Sequence, residues 1–311
     1  MVTLKLSLGT AISLNLTNGK LQIPFTTIYI MLGDRCNSNC SFCTQSREAM
    51  MTKKLSRITW YEFPMEVIIN AIKGKNYSRI CFQTLDYENV IDDLKSILPK
   101  FNNLKIPISV SIAPPINGKL EEISPFIDTV SIALDAASKE IFEKVKGRQR
   151  GNRFEWENHW ENLILAKKYF KNVNTHLIVG MGEKDIDLIS VMLKLKSKGI
   201  ETALFAYTPI MGIGAPPPLE RYRRIQLSRC LIYEYEVNIN DFIFNENGDL
   251  EKIKSKHLDK VIKDSRCFMT SGCPGCNRPF YNEEPRKIYN YPFLPGKEEM
   301  LKINETLAKI K

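Results

Sequence analysis

The stretch that decides the fold is TIYIMLGDRCNSNCSFC, Thr27 to Cys43. Its first six residues are rich in β-formers and read as a strand, which ends just before three cysteines in the pattern CxxxCxxC. Downstream, short apolar strands keep alternating with helical periodicity. RICFQT (79–84), ISVSI (108–112), TVSIAL (129–134), VNTHLIV (173–179) and TALFAY (202–207) read as strands. Between them, Trp60 to Lys73, Asp86 to Leu98, a long stretch reaching about Phe170, and Lys184 to Lys198 read as helices. Six strands in such an order predict a parallel sheet with right-handed crossovers. Six units are too few for a closed eight-stranded barrel, so the expected fold class is α/β, a partial (β/α)6 TIM barrel, with a doubly wound sheet as the alternative. In either architecture the site lies at the C-terminal strand ends. The unusual residues fall there: Cys36 to Cys43, Gln83 to Asp86, Asp135, Gly180 to Glu183 and Tyr207 to Gly214.

Outside the alternating segment the pattern changes. Residues 1–26 form an N-terminal extension, 27–237 the barrel, and 238–311 a C-terminal extension expected to pack over the barrel mouth. The break GIGAPPPLE (212–220) precedes a helix over Arg221 to Glu236, and a strand-like FIFNENG follows.

Composition narrows the class. The 311 residues include 43% apolar and 25% charged side chains, near the average for folded proteins. The longest apolar runs, such as Phe25 to Leu32, are far shorter than a bilayer span, so no membrane association is expected. The start MVTLKLSLGT lacks the apolar core and cleavage site of a secretory signal, and the expected location is the cytoplasm. Forty-four Lys plus Arg against 35 Asp plus Glu gives +9, a charge that suits an acidic carrier protein, an anionic ligand or a nucleic acid, and by itself selects none. No recognisable RNA-binding module is present, which counts against nucleic acid.

The eight cysteines discriminate more sharply. Six lie in two triads, Cys36, Cys40 and Cys43, and Cys267, Cys273 and Cys276. In a cytosolic chain of this length clustered cysteines point to metal rather than disulfides. Cys81 and Cys230 are left over and read as buried, inert thiols. Three thiolates on a [4Fe–4S] cluster leave one iron open, whereas a structural zinc or electron-transfer cluster takes four protein ligands. The second triad, CxxxxxCxxC followed by NRPFYNEEP, reads as an auxiliary iron–sulfur cluster or a zinc knuckle with a distant fourth ligand. Ser271, Arg278 or a non-protein ligand completes it.

The motif CNSNCSFC resembles that of the radical S-adenosylmethionine (SAM) superfamily. The resemblance implies that the open iron chelates SAM and that Phe42 lies near the adenine. One electron then cleaves the sulfonium to release a 5′-deoxyadenosyl radical, which removes hydrogen from an unactivated carbon. SIALDAAS (131–138) resembles the fourth-strand motif of biotin synthase and its relatives, which implies ribose binding by Asp135; a helix N-cap at the strand exit is the bland alternative. IVGMGEK (178–184) resembles their fifth-strand motif, with Ile178 near the adenine, Gly180 and Gly182 permitting close backbone approach, and Glu183 opening a helix. The usual second-strand Gly-Gly-Glu-like motif is replaced by CFQTLD, where Gln83 or Thr84 substitutes. His159 reads as structural; His176 is a candidate for substrate or cofactor contact.

From about Thr27 to Tyr291, with marks at FAYTPI, APPPLERYRRIQ and CPGCNRPFYNEEP, the chain resembles subunits of archaeal-type two-component lipoyl synthases within the biotin-synthase-like branch. This implies sulfur insertion into a protein-bound octanoyl chain, with SAM and two [4Fe–4S] clusters as cofactors. It further implies an octanoylated lipoyl carrier protein, a second radical SAM subunit and an external electron donor as partners. Sulfur insertion into a free small molecule, tRNA methylthiolation and a non-catalytic cluster scaffold are the competing expectations.

Overall fold

The computed structural model describes residues 2–49, 53–209 and 214–308. Six parallel strands form its centre: β2 (Thr27–Leu32), β5 (Arg79–Thr84), β6 (Ile108–Ser111), β7 (Thr129–Ser131), β8 (Asn172–Val179) and β9 (Glu201–Ala206). They are hydrogen-bonded in that order. Side chains alternate across each strand: Ile28, Ile30, Ile80, Phe82, Ile108 and Val110 enter the main apolar core outside the sheet. Helices α2 (Met65–Ile72), α3 (Val90–Asn102), α5 (Trp156–Ala166) and α6 (Asp185–Ser197) supply the facing residues of that core. The opposite residues of all six strands, Tyr29, Cys81, Ser109, Ser131, Asn174 and Ala203 among them, line one inner cavity. The sheet is therefore curled, a half-barrel of (β/α)6 type as the strand count predicts.

The remaining helices are α1 (Leu8–Ser13), α4 (Lys139–Val145), α7 (Leu219–Glu234), α8 (Leu258–Asp264) and α9 (Lys297–Ala308), and β10 (Phe242–Phe244) pairs with β11 (Leu250–Ile253). No helix among the described residues is long and apolar enough to cross a membrane.

Beyond the division of the long stretch reaching about Phe170 into α4 and α5, three readings change. The segment over Trp60 to Lys73 is not one helix: β4 (Ile58–Pro64) precedes α2. Its alternating, aromatic-rich ITWYEFP pairs antiparallel with β1 (Thr3–Ser7), Lys5 facing Glu62, and this long-range partner overrides the local periodicity. Residues 3–7 are thereby built into the same sheet, between β4 and β2, with the short β3 (Lys54–Leu55) at the outer edge. Helix α3 begins at Val90 rather than Asp86, because the Asp86 carboxylate is held by Ser38 and Arg153.

The third change concerns the C-terminal extension. It reaches the mouth as expected, where Asn282, Glu284 and Lys287 stand with Lys54 and Arg57, but its segment 271–283 gets there along the inside of the half-barrel, from the N-terminal strand ends upward. Arg79 Nε donates to Pro274 O at 3.0 Å and Thr26 Oγ1 to Gly275 O at 2.6 Å, both at the strands' starts. Farther up, Arg278 N donates to the Tyr29 hydroxyl at 2.8 Å and Thr208 Oγ1 to Asn282 O. Leu204 N on β9 donates to Ser271 Oγ at 3.0 Å, so the extension also satisfies part of an open sheet edge.

Candidate functional site

The loop after β2 is shaped by hydrogen bonds that bring its cysteines together. Ser38 Oγ donates to Asp86 Oδ2 at 2.5 Å, Asn37 N to Asp86 O at 2.8 Å, Asn39 N to Asn152 Oδ1 at 2.6 Å, and Ser41 N to Val145 O at 2.9 Å. Cys36, Cys40 and Cys43 consequently lie within one another's electrostatic reach, with Asp135 and Lys146 beside them. Burial pushes the Cys40 thiol well up and that of Cys43 up to about 12, and the Lys146 ammonium partly opposes both shifts. Without metal these groups are neutral thiols, so iron must displace their protons.

The donor set fits a cluster: three soft ligands on one short loop, a cation close by to offset negative charge, and a cleft on the remaining side. Among the described residues no three His, Cys, Asp or Glu side chains converge tightly enough to hold a single metal ion. A cluster places its irons and sulfides between the thiolates and so asks for a wider triangle than a lone zinc.

Phe42 and Cys43 open the cleft, and Gln83, Thr84, Asp135, Ile178 and His176 line its floor and wall. Asp135 adopts φ +63° at the strand exit, where its N donates to His176 O at 2.9 Å and Ile178 N donates to its carbonyl at 2.8 Å. This turn aims its carboxylate at the cleft, and Lys146 Nζ holds Oδ2 at 2.8 Å; their side chains are only 11% and 6% exposed. Gln83 Oε1 is buried with no hydrogen-bond partner, an acceptor suited to an ammonium such as that of SAM's methionyl group.

Gly180, Gly182 and Glu183 are used differently. The glycines take φ +109° and +105°, and Glu183, its side chain 1% exposed, accepts from Gly180 N and Met181 N at 2.8 Å each while pairing with Arg221 at 2.9 Å. Its carboxylate shapes the loop that follows Ile178, and none of the three residues lines the cleft.

His159 is structural as expected: Nδ1–H donates to Glu155 O at 3.0 Å, its ring lies edge-on to Phe142 and Phe154, and burial holds its pKa well below the usual range. His176 faces inward, shares a 3.1 Å hydrogen bond with Ser131 Oγ, and is held near a pKa of about 4, chiefly by burial. Residues 210–213, part of the strand-end group predicted from Tyr207 to Gly214, lie outside the described residues.

The second triad is not brought together. Cys273 and Cys276 lie inside the half-barrel, where Asn174 Nδ2 donates to Cys273 Sγ at 3.1 Å and the Tyr29 hydroxyl stands 3.3 Å from Cys276 Sγ. Cys267 packs instead in a separate apolar cluster with Cys230, Val261 and Phe268. A hydrogen bond with Cys230, followed by burial, pushes its thiol far up. Sequence spacing grouped it with the other two because 3-10 geometry and the turn at Ser265, φ +61°, cannot be read from a cysteine count.

Lys146 and Tyr29 were not singled out from sequence. For Lys146 no local signal exists; Tyr29 was legible from the alternation in TIYIML.

The sequence model of the radical SAM superfamily matches residues 30–195, just over half of the chain. The chain belongs to the radical SAM superfamily. Superfamily membership carries SAM and one [4Fe–4S] cluster as cofactors. Among curated radical SAM relatives, a mitochondrial lipoyl synthase of Phytophthora infestans is 25% identical over 69% of this chain and 58% of its own length. A biotin synthase of Methanococcus maripaludis is 25% identical over 67% of this chain and 63% of its own. The chain thus spans about three fifths of each of these relatives. The crystal structure of Streptococcus suis SuiB bound to S-adenosylmethionine shares the fold, with TM-score 0.53, 14% identity, and coverage of 70% of this chain and 50% of that one.

Proposed function

We propose that this chain is a sulfur-inserting radical SAM enzyme, one component of a lipoyl synthase that converts a protein-bound octanoyl-lysine to lipoyl-lysine. The observation that carries the reading is the adjacency of two spaces that share one wall. Gln83, Ser111, His176, Phe205 and Arg278 line both the cleft beside Cys43 and the inner cavity beside Cys273 and Cys276. Bound there, SAM and its cluster supply the hydrogen-abstracting radical, and an auxiliary [4Fe–4S] cluster at the inner thiols supplies sulfur.

The chain's own residues do the positioning. Asp135, fixed by Lys146, offers a carboxylate to vicinal hydroxyls; Gln83 offers its carbonyl to an ammonium; and Phe42 and Ile178 supply apolar surface for a base. The wall of Phe205, Ala206 and Tyr281 is apolar enough to receive an alkyl chain and keep water from a radical. Around the outer opening Arg57 is paired with Glu284 at 2.8 Å while Lys54 and Lys287 stand beside it, and it is the net charge of +9 that suits an acidic carrier domain. The partners in this reading are that octanoylated carrier, a second radical SAM subunit and an external electron donor.

The biotin synthase of M. maripaludis matches as well as the lipoyl synthase, which supports a second reading, sulfur insertion into a free small molecule. An anaerobic assay with SAM, reductant and octanoyl carrier, with and without a second subunit, separates the two. We expect 5′-deoxyadenosine together with a thiolated octanoyl group, and loss of both in Cys40→Ala. Cleavage of SAM with no carrier thiolation under either condition sinks the lipoyl assignment.

A further inference from the structure

Strand β5 carries Arg79, Cys81 and Gln83 on its inner side while Ile80 and Phe82 enter the outer core. This alternation turns Cys81, a residue without a motif, into the cavity that holds Cys273 and Cys276. The three sulfurs are in mutual electrostatic contact: Cys273 and Cys276 each act on Cys81, and Cys276 acts on Cys273.

Their surroundings are built as a polar socket. Ser109 Oγ lies near Cys81 and Cys273 and has no hydrogen-bond partner, Asn174 donates to Cys273 Sγ, and the Tyr29 hydroxyl meets Cys276 Sγ. Arg278 adds a buried Nη2 without a hydrogen-bond partner to the same cavity. These two unpaired donors, beside the unpaired acceptors Gln83 Oε1 and Asn174 Oδ1, mark the cavity as one whose polar groups await a guest, and Arg278 suits an anionic one. The CPGC turn is also held rigidly: Arg79, itself paired to Asp128 at 2.5 and 2.9 Å, grips Pro274 O, and Thr26 grips Gly275 O. Cys267 has no share in this socket. It contacts Val261 O at 3.6 Å in the apolar cluster on α7 and α8, and lines neither cavity.

We propose that the protein thiolates of the second iron–sulfur cluster are Cys81, Cys273 and Cys276, with Cys267 outside the set. The assignment rests on the reading that a second cluster exists, and is independent of whether octanoyl-lysine is the substrate. It explains why a strand residue distant in sequence faces two cysteines of a C-terminal turn, and why Asn174 and Tyr29 hydrogen-bond to sulfur. Such hydrogen bonds stabilise thiolate and sulfide charge in a cluster.

The test uses the full chain, prepared anaerobically with iron and sulfide, in a Cys36→Ala, Cys40→Ala, Cys43→Ala background so that only the second cluster reports. This background should keep about four irons and matching sulfide. Adding Cys81→Ala or Cys273→Ala should remove most of both, along with the charge-transfer absorption, while Cys267→Ala leaves them unchanged. Cys81→Val, which refills the strand position, is made alongside, and circular dichroism confirms folding. A folded Cys81→Val variant that keeps its iron, or iron loss in Cys267→Ala, overturns the ligand assignment alone. A background that holds no iron, or one zinc in its place, overturns the second-cluster reading and the assignment with it.

Discussion

At the residue scale, Lys146 shows how one cation organises a site whose other members are acidic or soon to be. Its Nζ donates to Asp135 Oδ2 at 2.8 Å and to Ala133 O at 2.6 Å, within reach of Cys40 and Cys43. A buried pair of this kind contributes little net stability, but removing one partner strands the other charge. Lys146→Met should therefore destabilise the protein by about 3 kcal/mol, and adding Asp135→Asn should recover much of the loss. Urea unfolding of the two single variants and the double variant checks this. Strictly additive losses would show that the pair is not coupled. The same geometry sets the residue's role in the site, since the ammonium fixes the carboxylate that faces the cleft.

At the element scale, the segment 271–283 must lie close against strand starts, and Gly275 is where closeness is tightest. Its φ is +76°, and a Cβ there would stand 2.7 Å from Ser78 Cβ. Gly74 has nearly the same φ, +74°, with nothing within 4 Å of a Cβ, so it isolates the conformational cost. Gly74→Ala should cost about 1 kcal/mol and Gly275→Ala a further ~1–2 kcal/mol from overpacking. Equal losses in urea midpoints would mean that the turn does not press on β5's approach. This element also marks the limit of what sequence discloses. The six parallel strands were legible because each buries an alternating face, and the first cysteine triad because a single loop carries it. β4 was hidden by its dependence on β1, a partner remote in sequence, and the pairing of Cys81 with the CPGC turn was hidden for the same reason. Glu183 was visible as a residue, yet its use, closing the Gly180 loop from within, depends on backbone conformations that the motif does not specify.

At the scale of the whole molecule, the curled sheet encloses groups that a flat sheet would leave in solvent, and acid stability reports that enclosure. His176 belongs to β8, is half-buried, and lines both the cleft and the inner cavity. Its folded pKa of about 4 reflects burial first; Asp135 pulls it up, and Arg278 and Lys146 push it down. An unfolded chain returns it to about 6.5. Between those values the unfolded state binds a proton that the folded state refuses, so stability falls as pH drops through 6.5 toward 4 and levels off below. Two and a half pKa units correspond to about 3 kcal/mol, an upper figure because water in the cavity solvates part of the ring. Carboxylates and bound iron add their own acid dependence, which both proteins share when wild type and His176→Asn are compared at each pH. The difference between their unfolding free energies should shift by ~2–3 kcal/mol in favour of His176→Asn from pH 7 to pH 4. A pH-independent difference would mean that the ring is solvated as in an open sheet, and the half-barrel would then not be closed around it by the C-terminal segment.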